Sequence, residues 1–395
     1  MPVHRYGVEL APGQYARLRV SQEGADLSVA LFSPSGQVLQ EFGIPSDLNG
    51  TQWITVIAEA AGVHTVEIRP LEARDAAVGR YRIELMELRP ATDEDRLRKD
   101  AEWTAAKAFH HLRAARPEDL AQALALYQKA LEIFRSLNGR PQEAATLYGI
   151  GLVHYIGNQP ADAIAPFEQA LEIWREVGDL RQEGMTLNQI GRTRRLLGDA
   201  QGAITAFSEG FPLARETGDR DLECTLLINL ARLQANLGDL SAAVSGYEQA
   251  LEIYRSRGDP AGEGTLENAL GEVYGLQGRP AEALESFEHA LKLGRNVNLY
   301  VEADSLDKLG NLHQRLGQPH KALEYFLPAL DKYGEAHNFA SQGLVLIHLG
   351  SLLDELGEPE EGEEMLQRAL PLLRDPRDQA RTRIALGRIA AEQGD

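Results

Sequence analysis

The sequence predicts a small all-β sandwich or jelly roll followed by an all-α superhelix of long helical hairpins. Two observations carry this expectation. Before residue 90, short runs alternate apolar and polar residues with a period of two. After it, columns of small and aromatic residues recur at a fixed long spacing.

The N-terminal runs are "RYGVEL", "YARLRV", "DLSVALF", "QWITVIA", "HTVEIRP" and "RYRIELM", separated by the turn clusters "APGQ", "SPSG" and "AAVGR". Strands of this length with turns between them read as an antiparallel sandwich or jelly roll. In the last run Tyr81, Ile83 and Leu85 share one face, the half-buried pattern. A domain of roughly 85 residues has a small core, so it is expected to lean on the segment C-terminal to it. It carries no Asp, Glu and His set with the spacing of a metal or catalytic site, and reads as a structural or adhesive cap.

From residue 91 the chain repeats. "YQKALEIF", "FEQALEIW", "YEQALEIY" and "FEHALKLG" place one alanine at 130, 170, 250 and 290, and Gly210, Ala329 and Ala369 continue the series. Ala123, Ala163, Ala203, Ala243, Ala283, Ala322 and Gly362 form a second small column. Tyr127, Phe167, Phe207, Tyr247, Phe287, Phe326 and Leu366 form a large apolar column four residues later. A third small column runs through Gly151, Gly191, Ala231, Gly271, Gly310, Gly350 and Gly387. Small residues twelve apart, with "LGD" or "LGQ" between, let two antiparallel helices approach closely at their crossing. The aromatic column is expected to fill the gap between neighbouring hairpins. Pro212 and Pro371 are expected inside second helices, where a proline costs ~3 kcal/mol and bends the axis.

This pattern resembles the tetratricopeptide repeat, with its Leu-Gly, Ala, Phe/Tyr and Ala-Leu positions in order. The usual unit is shorter, so the extra residues lengthen each hairpin, as in the long repeats of kinesin light chains and several bacterial regulators. The predicted fold class is therefore a small all-β sandwich/jelly-roll domain, residues 1–90, followed by an all-α tetratricopeptide-repeat superhelix with 40-residue repeats, residues 91–395. The superhelix holds about seven helical hairpins plus an unpaired C-terminal helix. That helix is "RIALGRIAAEQGD", in which Gly394-Asp395 matches Gly198-Asp199, the point where a second helix would start. The chain is accordingly expected to be part of a longer protein.

The β region "PGQYARLRVSQEGADLSVALFSPSGQVL", leading through "GRYRIELMELRPATDEDR" into long repeats, resembles the N-terminal half of bacterial CHAT-domain proteins. The resemblance implies a sensor or regulatory arm for a caspase-like cysteine protease whose catalytic His and Cys lie outside this chain. Cys224 does not stand in for that nucleophile. It sits in "LECTLLINLARL", an apolar first helix, as a small buried hydrophobe.

Composition excludes several classes. A net charge of −19 lacks the basic footprint of nucleic-acid binding. No apolar run is long enough to span a membrane. "MPVHRYGVEL" shows no leader, so the default is a soluble cytoplasmic protein, exported if a leader has been removed. One cysteine rules out intrachain disulfides and thiolate zinc sites. No phosphate-binding loop, dinucleotide fingerprint or nucleophile elbow is present. His110, His111 and His313 lack the i, i+4 spacing of a metal pair. No cofactor and no catalytic residue is expected.

What remains is a non-catalytic scaffold that binds protein or peptide in a groove lined by first helices. By register from the third small column, the groove residues are Asn188, Gln189, Arg192 and Arg195; Ile228, Asn229 and Arg232; Asn268 and Glu272; Asp307, Lys308 and Asn311; and His348 and Ser351. Amides offer both donor and acceptor to a peptide backbone, and Arg192, Arg195 and Arg232 suit an acidic stretch of ligand. Tyr148 and Tyr155 are candidates for an aromatic wall, or for packing against the preceding hairpin. The alternatives are a free-standing adaptor and the regulatory arm of a bacterial transcription or signalling protein.

Overall fold

The structure, a computed structural model, describes residues 3–23, 27–43, 51–70, 80–295 and 297–393. The chain divides into two compact units, Met1–Val177 and Gly178–Asp395.

The first unit begins with strands β1 (His4–Leu10), β2 (Gln14–Glu23), β3 (Leu27–Phe32), β4 (Val38–Gly43), β5 (Thr51–Ile57), β6 (Gly62–Pro70) and β7 (Arg80–Pro90). They form a four-stranded sheet in the order β1-β6-β3-β4 and a three-stranded sheet in the order β5-β2-β7, with antiparallel pairing throughout. Alternate residues of both sheets, among them Leu10, Leu18, Val20, Val29, Ile54 and Ile68, share one core. β4 is not among the expected strands, because "VLQEFG" is short and lacks strict alternation. Tyr81 and Ile83 pack on the core, but Leu85 is 48% exposed. The register of β7 against β2 shifts between Arg17 and Leu18, just where Leu85 should turn inward. Of the expected turn "AAVGR", residues 76–79 lie outside the described residues.

β7 runs into helix α1 (Asp93–Ala114) through a braced junction. Thr92 and Asp95 form a reciprocal capping box, and Arg89 grips the Asp95 carboxylate with both guanidinium nitrogens, at 2.5 and 2.9 Å. The Arg89 guanidinium also lies 4.4 Å above the buried Tyr15 ring. The β region thus leans on the first helix, as its small core requires. Helices α2 (Pro117–Ser136), α3 (Arg140–Ile156) and α4 (Pro160–Val177) complete this unit as two antiparallel pairs, α1 with α2 and α3 with α4.

The second unit holds α5 (Leu180–Leu196), α6 (Ala200–Glu216), α7 (Arg220–Asn236), α8 (Leu240–Arg257), α9 (Pro260–Leu276), α10 (Pro280–Gly294), α11 (Leu299–Arg315), α12 (Pro319–Glu335), α13 (Phe339–Glu355), α14 (Pro359–Ala369) and α15 (Pro376–Gln393). Each odd-numbered helix through α13 pairs with its successor. The turns explain the regularity. Gly218 and Gly238 sit at φ 68° and 87°, which ends a helix without Cβ strain. The next residue, Asp219 or Asp239, accepts a hydrogen bond from the third residue of the following helix. Pro212 lies inside α6, whereas Pro371 does not lie in a helix of this kind: α14 stops at Ala369 and a 3-10 turn, Leu370–Leu372, follows. Gly394-Asp395 lies outside the described residues.

The small and aromatic columns meet inside each pair rather than chiefly between hairpins. A Cβ on Gly151, Gly191, Gly271 or Gly310 would stand within 2.6 Å of the ring of Phe167, Phe207, Phe287 or Phe326, on the partner helix of the same pair. Tyr127 does reach the next pair, against Gly149. Successive pairs are joined by a recurring ion pair between the end of a second helix and the start of the next first helix. Arg135 reaches Glu143 at 2.9 Å and Arg255 reaches Glu263 at 2.8 Å.

Candidate ligand-binding face

The first helices of the second unit touch one another directly: α5 with α7, α9 with α11, and α11 with α13. Residues around the third small column therefore meet their counterparts on neighbouring first helices, and the structure brings most of the expected groove residues together there.

At α5 and α7, the buried Asn229 donates to Oδ1 of the buried Asn188 at 3.0 Å. Arg232 donates to Oδ1 of Asn229 at 2.7 Å. Arg192 donates to Oε1 of Gln189 at 3.1 Å on α5, and Arg195 lies half-buried one turn further along. Ile228 and Ser351 are half-buried. Asn268 on α9 is 1% exposed; it donates to Asp304 at 2.9 Å and accepts from the Ser305 hydroxyl at 3.0 Å, both on α11. The buried amides thus join first helices to each other, Asn229 to Asn188 and Asn268 to Asp304 and Ser305.

Lys308 reaches Glu272 of α9 at 2.5 Å and Asp304 of its own helix at 3.4 Å. Burial works against the Lys308 ammonium, yet the two carboxylates outweigh it and hold its pKa above the usual value. Burial likewise raises the Asp304 carboxyl, against the pull of Lys308. Asn311 donates to the Asp307 carbonyl at 2.9 Å, and His348 of α13 lies 2.9 Å from the Asp307 carboxylate. Along α9, α11 and α13 the polar groups are therefore largely occupied by their neighbours. Around α7, Arg232 is exposed, and no carboxylate pairs with it among the described residues.

The other candidates are packing residues. Tyr148 lies with its ring centroid 5.5 Å from that of Phe167 on α4, and it also packs on the core cluster that includes Ala108, Leu112 and Tyr127 of the preceding pair. Tyr155 is half-buried near the end of α3. Cys224 is 2% exposed, and burial pushes its thiol up to about 11. His111 bonds Asp119 at 2.9 Å, and His313 bonds Gln318 at 2.8 Å and stacks on Tyr325.

Sequence reasoning missed one cluster. Ligand atoms of Glu263, Glu267 and His289 lie within 4.8 Å of one another. Arg255 already bridges both carboxylates, at 2.8 and 2.9 Å, so a metal ion there would compete with it for the same oxygens. The signal lay in the columns, since Glu267 stands where other repeats carry leucine.

Antiparallel helix pairs with small-residue crossings and a polar first-helix face define a helical repeat scaffold. A tetratricopeptide repeat model matches residues 114–176, 182–256 and 263–336, and the chain belongs to that family. A model of anaphase-promoting complex subunit 5 also matches residues 307–390. No curated protein matches the chain. Among solved structures, the apo form of RapI is similar with a TM-score of 0.55 and 15% identity, over 73% of this chain and 99% of that one. Aspartyl phosphate phosphatase F from Bacillus subtilis gives 0.54 and 12%, over 71% of each chain. A tetratricopeptide repeat protein from Parabacteroides merdae gives 0.51 and 14%, over 74% of this chain and 99% of that one. At these identities the likeness is one of fold. No helix among the described residues is long and apolar enough to cross a membrane.

Proposed function

We propose that the chain is a non-catalytic scaffold that binds a protein or peptide segment on the first-helix face of its second unit, with an acidic stretch of ligand against α5 and α7. The observation that carries this reading is Arg232. It is exposed, held in place by Asn229, and without a carboxylate partner among the described residues of a strongly acidic chain. A guanidinium fixed by one hydrogen bond keeps donors for a ligand carboxylate. Arg192 and Arg195 widen the same basic area, and the face from α9 to α13 supplies shape rather than open charge. The β region and its "ELRPATDEDR" junction support a further step: the scaffold serves as the sensor arm of a CHAT-type cysteine protease.

The test is a charge-reversal pair, Arg192→Glu with Arg232→Glu, in pull-downs from source cells. Loss of the partners retained by the unaltered chain is the expected result. Unchanged recovery would remove these arginines from the recognition site. An antibody to residues 91–395 tests the protease-arm reading, which requires a native product well above 43.4 kDa.

A further inference from the structure

Four residues before the third small column, the first helices carry a buried leucine at 147, 187, 227, 306 and 346, and a glutamate at 267. The exchange does not bring this side chain to the surface: Glu267 is 6% exposed. An ionisable group in a core layer that neighbouring repeats fill with leucine is a local departure from the fold's own rule, and such departures concentrate at functional sites.

Its surroundings are equally particular. Oε1 of Glu267 accepts from Arg255 at 2.9 Å and lies 3.0 Å from Nδ1 of His289. Both contacts use the same oxygen, and Oε2 has no hydrogen-bond partner among the described residues. A second polar group is in the same position. Ser286 is 7% exposed, and its hydroxyl has no hydrogen bond among the described residues. Both side chains line a cavity of about 570 Å³ between α8, α9 and α10. Leu251, Leu270 and Tyr274 give it apolar walls, and the exposed Glu285 adds a carboxylate at its edge.

We propose that this cavity binds an organic cation, an alkylammonium or guanidinium group carried on an apolar stem. Oε2 of Glu267 and the Ser286 hydroxyl are acceptors on largely buried residues that line the cavity, so an occupant that engages both brings N–H donors. The local charge has the matching sign. Arg255 is matched by Glu263 and Glu267 together, which leaves an excess of carboxylate before Glu285 is counted. The leucines and the tyrosine ring cover the stem, as in small-ligand sites with few polar groups on apolar walls. An anion meets net negative charge here. A metal ion held by Glu263, Glu267 and His289 would have to displace Arg255, which occupies Oε1 of both glutamates, whereas an N–H donor at Oε2 of Glu267 leaves Arg255 in place. The cavity is built around α8–α10 and is independent of the arginines on α5 and α7.

The same chemistry has two sources, a free small molecule or the basic side chain of a partner. Titration calorimetry of the full chain at about 150 mM salt, which screens diffuse surface binding, uses one probe for each. These are n-butylguanidinium and the blocked peptide acetyl-Gly-Arg-Gly-amide. Saturable single-site binding of either probe is expected. Tighter binding of the peptide assigns the site to a partner's side chain, and tighter binding of the free cation assigns it to a small molecule. Glu267→Leu, which restores the residue of the other repeats, should weaken the bound probe about 10- to 100-fold. Its melting temperature should be unchanged or raised. Should the leucine variant fail to fold, Glu267→Gln keeps the shape and must weaken binding comparably. Arg232→Glu should leave it unchanged. The proposal is overturned if neither probe binds, if Glu267→Leu and Glu267→Gln bind as before, or if zinc chloride alone binds tightly and His289→Ala abolishes it.

Discussion

Gly191 of α5 and Phe207 of α6 are packed so closely that a Cβ on the glycine would stand 2.4 Å from Cε1 of the ring. The ring is fully buried and has nowhere to retreat. Gly191→Ala should therefore lower unfolding free energy by about 1–3 kcal/mol through overpacking, despite alanine's better helix propensity. The α7–α8 pair shows how the fold tolerates the methyl group. Its column residue is Ala231, and the facing helix carries Gly246, where a Cβ would lie 2.9 Å from that of Ala231. Gly246→Ala should destabilise on its own, and Ala231→Gly should recover part of the loss when combined with it. Urea unfolding of the two single variants and the double variant reads the coupling; strict additivity would mean the two positions do not trade volume.

Lys308 belongs to the scaffold more than to a ligand. Its ammonium lies between Glu272 and Asp304, and Asp304 is a carboxylate that burial already disfavours. Lys308→Met should cost about 3 kcal/mol, because it leaves Asp304 uncompensated. Lys308→Met combined with Asp304→Leu should recover much of this. Chemical denaturation of both variants checks the pair, and a single variant as stable as the unaltered chain would make Lys308 a candidate ligand contact again.

The repeat was legible because its determinants are local and periodic. The columns through Gly191 and Phe207 recur whether or not one knows the packing, and the Asp after the turn glycines Gly178, Gly198, Gly218, Gly238 and Gly258 announces the next helix. The site was less legible for a geometric reason. Register alone says that Asn188, Asn229 and Asn268 belong to one face of the first helices. It does not say that the neighbouring first helix comes close enough for the amides to bond across to it. The exchange of leucine for Glu267 was visible in the columns, but a glutamate on a helix reads as solvated until its burial is known. The irregular register of β7 against β2, which turns Leu85 outward, leaves no comparable trace in the alternation.

The β7–α1 junction should give the stability curve an identifiable acid limb. The bidentate Arg89 guanidinium holds the Asp95 carboxyl well below the usual carboxylate range against the opposing effect of burial, and Thr92 assists. A carboxylate whose folded pKa is depressed contributes stability above its unfolded value, about 3.9, and loses that contribution as pH falls below it toward the folded value. Asp95→Asn should thus cost about 1–2 kcal/mol at pH 7, from the weakened cap and the lost ion pair. The difference between the two proteins should shrink steadily below about pH 4. Thermal melts from pH 2 to 7 test it, with a constant difference across the range as the contrary result.

By register Arg232 and Asn268 both belong to the first-helix face, about one helical turn apart in the repeat, and the structure assigns them opposite consequences. Arg232 is exposed, and among the described residues its hydrogen bond is the one to Asn229. Arg232→Gln should change stability by no more than about 0.5 kcal/mol, as for ordinary surface substitutions. It should nevertheless weaken an acidic ligand, with the larger effect at low salt, where exposed charges act over longer distances. Asn268 is buried between Asp304 and Ser305. Asn268→Ala should cost about 1–3 kcal/mol by stranding those partners, yet leave ligand affinity unchanged wherever the variant is folded. Measuring both quantities for both variants separates recognition from support. If Arg232→Gln loses stability and keeps the ligand, the basic area on α5 and α7 is part of the framework and the ligand engages another surface.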